Sequence, residues 1–212
     1  MSLQDARKLY DESLVIDGLN VSNWDSPAVY DSLSLGGVTA INATIATWEG
    51  FAETLDNISA WSLRFKERSD SITLVETVDD ILEAKRSGRT GIILGWQNAT
   101  PIENDLDRLG LFHRLGVRVV QVTYHERNLL GNGCYERRDD GLSHFGADAV
   151  AEMNRLGILV DLSHVGEKTT LDAIETSRKP VAFTHANARS YHDVVRNKTD
   201  EALRALADRG GV

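Results

Sequence analysis

Cysteine is nearly absent: Cys134 is the only one among 212 residues, so no internal disulfide can form and a reducing compartment fits. Long apolar runs are absent too. None reaches membrane-spanning length, and the polar, charged start of the chain (residues 1–11) lacks the apolar stretch of a signal peptide. No membrane partner is expected, and the expected location is cytoplasmic. Basic clusters are missing: Lys and Arg number 23 against 32 Asp and Glu, a formal net charge of -9. Nucleic acid is therefore not an expected partner, because phosphate binding needs Lys and Arg concentrated on one face. Nor does a Gly-x-Gly-x-x-Gly or Walker-type glycine loop follow any apolar run, which disfavours a nucleotide site.

What is present is an ordinary globular composition, 42% hydrophobic and 26% charged, long enough for one sizeable domain over residues 1–212. Six short apolar runs recur, at 14–17, 38–45, 91–97, 118–124, 158–164 and 180–185. Nearly continuous apolar character is the pattern of strands buried on both faces of a parallel sheet. Between them lie helical stripes over 55–68, 77–87, 106–115, 143–156 and 200–209, several ending on glycine. Alternating β and α units specify an α/β fold, either an open doubly wound sheet or most of a barrel.

Polar chemistry gathers at the ends of these runs. Asp17, Gln97, Tyr124, His164 and His185 each stand at or just past a predicted strand end. In a (β/α) barrel that edge is the mouth of the active site, so the five side chains can converge there. Ser163-His164 and Thr184-His185 close consecutive βα units, which would hold two imidazoles a few ångströms apart, a spacing that suits zinc. A lone strand-end histidine is ordinarily a hydrogen-bonded structural residue; two on successive units bring the metal reading level with that one. Gln97 is the one obvious strand-end candidate for a third ligand. Its neutral amide oxygen is a poorer donor than a carboxylate, and hydrogen bonding within the core is its ordinary role. Cys134 sits in a loop, Gly131-Asn132-Gly133-Cys134-Tyr135, and a nucleophilic role would need an activating base that the local sequence does not supply.

The run from Gly141-Leu142-Ser143 through Phe145-Gly146 and on from Val150-Ala151-Glu152 to Leu162-Ser163-His164-Val165 resembles a hallmark stretch of the membrane (renal-type) dipeptidase family. Thr184-His185, Arg196-Asn197, Asp200-Glu201 and Gly210-Gly211-Val212 continue the resemblance in order, and Asp17-Gly18 extends it upstream. It implies a (β/α) TIM-like barrel of the metal-dependent hydrolase type, a dipeptide or related small amide as substrate, and a homodimer. It also implies that His164 and His185 are two histidines of one zinc position. Arg196 would contact the substrate or a developing oxyanion, a role suited to a fixed guanidinium. Thr123-Tyr124-His125-Glu126-Arg127-Asn128 is similar to a Thr-Tyr-Asn-x-x-Asn run of bacterial relatives, so Tyr124 would lend a phenolic hydrogen bond to substrate. His125 could bind metal or substrate, although a loop histidine is ordinarily solvated.

The departures bear on the metal. Where the family's first strand ends Asp-Gly-His-Asn-Asp, this chain has Asp17-Gly18-Leu19-Asn20-Val21, and the place of the bridging glutamate holds Gln97. At most one zinc, or another divalent ion, is expected in place of a two-zinc centre. The runs stop at Gly211-Val212, where a seventh strand would begin. A closed barrel takes about 250 residues, so truncation after about six strands is expected. The sequence thus predicts a metal-dependent hydrolase, the alternative being an inactive barrel relative that serves as a binding or assembly scaffold.

Overall fold

A computed structural model describes residues 2–212. The chain packs as two compact units. One holds the residues up to Thr44 together with Ser59–Leu94; the other holds Ile45–Ile58 and Gly95–Val212.

The first unit begins with helix α1 (Leu3–Glu12), strand β1 (Ile16–Asn20) and helix α2 (Pro27–Gly36). Strand β2 (Ala40–Ala46) starts here and runs on into the second unit. Helix α3 (Phe51–Glu67) starts in the second unit and returns to the first, followed by β3 (Ile72–Leu74), α4 (Val78–Ser87) and the start of β4 (Thr90–Trp96). β1 pairs parallel with β2, Ile16 opposite Ala40, and β3 pairs parallel with β4, Ile72 opposite Thr90. The Gly91 amide donates to the Thr39 carbonyl at 2.8 Å beside the start of β2. Burial is nearly unbroken along β2 and β4, as strands covered on both faces require. The predicted start of α4 is bonded as expected: Thr77 accepts from the Asp80 amide while the Asp80 carboxylate accepts from the Thr77 amide.

The second unit carries the ends of β2 and β4, then α5 (Asp107–Arg114), β5 (Val117–Gln121), α6 (His144–Leu156), β6 (Leu159–Asp161), α7 (Glu167–Thr176) and α8 (Asp200–Asp208). β5 and β6 are parallel, with Gln121 opposite Asp161. Ser143 caps α6 by accepting from the Gly146 amide, and Gly157 ends it at φ 80, a left-handed turn that a side chain would strain. The apolar floor of the unit includes Trp96, Phe112, Leu130, Val120, Val160 and Leu162.

Several boundaries differ from the sequence expectation, for local physical reasons. The run at 180–185 forms only a single parallel bridge, Ala182 to Asp161. Pro180 has no amide hydrogen for a ladder, and the Phe183 amide donates instead to the Val212 carbonyl at 2.8 Å. The sixth strand is β3, three residues long and too short to read by periodicity. Helices α1, α2 and α7 were not anticipated. Asp17 is the second residue of β1 rather than its end. The runs at 118–124 and 158–164 leave the sheet at Gln121 and Asp161, so their polar tails are loops. Among the described residues no helix is long and apolar enough to cross a membrane.

Candidate metal centre

Those two tails, with the segment after Ala182, build a cluster wholly inside the second unit. His164 lies three residues past β6 and is buried; His185 lies three past the Ala182 bridge. Their ring centroids are 4.8 Å apart, so the two imidazoles predicted to meet do meet.

Asp161, the last residue of β6 and fully buried, fixes both loops. Its Oδ1 accepts from the Ser163 amide (3.0 Å), the Ser163 hydroxyl (2.6 Å) and the Thr184 amide (3.2 Å), and its Oδ2 accepts from the Thr184 hydroxyl at 2.8 Å. Ser163 Oγ accepts in turn from the His185 amide at 3.1 Å. The Thr184 hydroxyl lies 2.7 Å from His185 Nδ1. Its single proton already goes to Asp161, so the ring nitrogen must be the donor. His185 is therefore protonated on Nδ1 and presents a lone pair at Nε2. That atom is buried and has no hydrogen-bond partner. A histidine held at one nitrogen by an oxygen network, with its other nitrogen bare, is arranged as metal ligands are.

Electrostatics keep both rings neutral at neutral pH. Burial drives His164 down to about 2, with the Arg196 cation and the neighbouring His185 and His125 adding to the effect. Burial likewise drives His185 down to about 4 against the upward pull of Asp161. Lone pairs are thus available without deprotonation.

Arg196 lies across the same two loops. Its Nη1 donates to the Ser163 carbonyl at 2.7 Å and its Nη2 to the His185 carbonyl at 2.5 Å. Burial lowers its pKa, yet Arg stays a cation over any working range. The Tyr124 ring packs on His164 (4.3 Å between centroids), on His125 (4.2 Å) and edge-on to Trp48 (5.2 Å). Gln97 is buried just past β4; its amide donates to the Ala46 carbonyl at 2.8 Å and its own carbonyl accepts from the Gln121 side chain.

Sequence reasoning did not foresee that His125 and Cys134 meet His164, and it gave Lys198 no place. His125, which the sequence left open between a metal or substrate role and the solvated state ordinary for a loop histidine, is half-buried, with its Nδ1 3.3 Å from His164 Nδ1 and 3.7 Å from Cys134 Sγ. The available signal was the Gly131-Asn132-Gly133 run. A Cβ on Gly133 would stand 2.1 Å from the His125 carbonyl carbon, so only glycine lets this loop approach. The Lys198 Nζ is buried, donates to the Val165 carbonyl (2.8 Å) and Thr170 Oγ1 (3.1 Å), and lies 5.1 Å over the Phe183 ring.

Burial lowers the Lys198 pKa from 10.5 to about 8. Between those values the unfolded chain holds a proton that the folded chain has released. Stability from this group therefore rises with pH across that window and is lost as pH falls through about 8. Denaturant unfolding of wild type and Lys198→Met across the window should give a stability difference, wild type minus variant, that climbs with pH. A flat difference would contradict the assignment.

Parallel βα units with an imidazole cluster in the loops past their strand ends place the chain in the α/β class. Residues 3–212 match the family model described as membrane dipeptidase (Peptidase family M19), and the chain belongs to that family. It is 37% identical over 146 residues to dipeptidase tcpJ of Claviceps purpurea (strain 20.1), covering 68% of this chain and 34% of that protein. Among solved structures it is similar to an amidohydrolase from Pseudomonas aeruginosa, 44% identical with TM-score 0.94, covering 97% of this chain and 62% of the other. It also shares the fold of a metallo peptidase from Rhodobacter sphaeroides liganded with a phosphinate mimic of the dipeptide L-Ala-D-Ala, 21% identical with TM-score 0.83, covering 94% and 72%. The fold is thus α/β of the TIM-like (β/α)-barrel type, with six strands among the described residues. The chain spans only about a third of the length of the tcpJ dipeptidase it matches.

Proposed function

We propose that this chain carries the histidine side of a metal-dependent hydrolase that cleaves a dipeptide or a related small amide. The observation that carries the proposal is the buried, partnerless Nε2 of His185 beside the neutral ring of His164. In this reading the two histidines hold at most one divalent ion of the zinc class, and the donor set fits such an ion, being neutral, nitrogen-based and already oriented. The bound ion would supply Lewis acidity at neutral pH.

The chain's own residues do the rest. Asp161, acting through Ser163 and Thr184, keeps each imidazole in place without itself reaching the substrate. Arg196, immobilised by two carbonyls, offers a fixed positive charge to a substrate carboxylate or to charge developing on the amide oxygen. Tyr124 and Trp48 form an aromatic wall against which a small side chain can pack, and the Tyr124 hydroxyl can hydrogen-bond substrate. The family membership and the dipeptide mimic bound by the Rhodobacter sphaeroides protein both favour a dipeptide over a larger peptide.

A panel of L,L and L,D dipeptides, assayed with added zinc, manganese or cobalt, tests the reading. Turnover should vanish with chelator and return with metal, and His164→Ala and His185→Ala should each weaken metal binding at least about tenfold. Silence across the panel from metal-loaded protein would overturn hydrolysis of dipeptides. Two tight zinc ions per chain would overturn the single-ion site.

A further inference from the structure

We infer that His125, Cys134 and His164 form a second, thiolate-containing position for a zinc-class divalent cation, one that shares His164 with the position described above. The inference stands on donor geometry and does not require the hydrolytic reading. A tetrahedral zinc about 2.05 Å from nitrogen and about 2.3 Å from sulfur sets its nitrogen ligands about 3.3 Å apart and a nitrogen–sulfur pair about 3.6 Å apart. The measured separations are 3.3 Å between His164 Nδ1 and His125 Nδ1, and 3.7 Å between His125 Nδ1 and Cys134 Sγ. The candidate donor atoms of all three residues lie within 4.8 Å of one another, so the remaining edge needs at most about an ångström of closure.

The backbone is built to hold this approach. The Cys134 amide donates to the His164 carbonyl at 2.9 Å, and Gly133 bridges to Val165. The Tyr135 amide donates to the His125 carbonyl at 2.9 Å, and the Tyr135 ring stacks on His125 with centroids 4.5 Å apart and planes 13° apart. His125 adopts φ 61, a left-handed conformation that costs a non-glycine residue energy and persists where the surroundings impose it. Gly133 is the close approach that makes the loop fit, as its missing Cβ showed. Constraints from three segments of the chain thus converge on three soft or borderline donors.

The competing account of the same distances is a hydrogen-bond chain from the thiol to one imidazole and on to the next. It differs from metal binding in its proton count. A metal-bound sulfur is a thiolate, so a thiol must release its proton to solvent as sulfur bonds the cation, whereas the hydrogen-bond chain keeps it. Because one imidazole serves one ion at a time, occupancy here and occupancy at His164 and His185 are alternatives, and the stoichiometry stays at one.

Cobalt(II) titration of the full chain provides the test. Wild type should show the near-ultraviolet thiolate-to-cobalt charge-transfer band, with one proton released per ion. Cys134→Ser should lose the band and bind cobalt at least about tenfold more weakly, and His125→Gln should weaken it similarly. His185→Ala should keep the band. Cobalt bound without the band in wild type, or with unchanged affinity in Cys134→Ser, would overturn this position while leaving the His164–His185 site standing. Failure to bind cobalt at all would overturn both.

Discussion

Replacing Asp161 with asparagine is expected to lower the stability of the chain by about 3 kcal/mol, a fall of about 10 °C in Tm for a protein of this size. The carboxylate is buried and accepts four hydrogen bonds, two from backbone amides and two from hydroxyls. Asparagine has the same shape, but its NH2 group must face donors. At least one of Ser163 or Thr184 then loses its acceptor, and a buried unpaired donor costs the full desolvation penalty rather than the small net value of a bond. The effect should reach the proposed metal site as well. Thr184 would be free to rotate, and the reason for His185 to carry its proton on Nδ1 would be gone. Thermal melts joined to cobalt affinity check both parts. A variant that melts within about 2 °C of wild type, under 1 kcal/mol by the same conversion, would show that Asp161 is not the tie between the loops.

Arg196→Met is expected to reduce kcat/KM by about a hundredfold or more on any dipeptide the protein cleaves, comparable to removing an oxyanion donor. Two losses combine. A fixed positive charge disappears from the site, and the Ser163 and His185 carbonyls lose their donors, so the histidine loops loosen. Arg196→Lys separates the two. A lysine restores charge but presents a compact ammonium in place of a rigid fork, so it cannot span both carbonyls. If charge on the substrate dominates, lysine should recover much of KM; if loop fixation dominates, it should recover little of kcat. A methionine variant within about threefold of wild type in kcat/KM, less than 1 kcal/mol, would remove Arg196 from the site altogether.

Much of the fold was legible because its causes are local. Thr77 and Ser143 announce helix starts because a side-chain oxygen beside a helical run satisfies its free amides. The runs at 38–45 and 91–97 read as strands because burial on both faces leaves no polar alternation to obscure them. β3 was not legible, since three residues cannot show a period. His164 and His185 were legible as a pair because consecutive βα units place strand ends side by side. His125 was not, because its place depends on a left-handed backbone and on the space left by Gly133.

The sequence by itself determined the family, the βα order and the presence of two imidazoles at neighbouring strand ends, all consequences of short-range pattern or of long matching stretches. Only the tertiary structure decided that Asp161 clamps Thr184, that Arg196 spends two of its donors on the histidine loops, and that His125 and Cys134 reach His164. Each of those contacts turns on distances of a few tenths of an ångström between loops, and those are set by packing and hydrogen bonds that no run of neighbouring residues encodes.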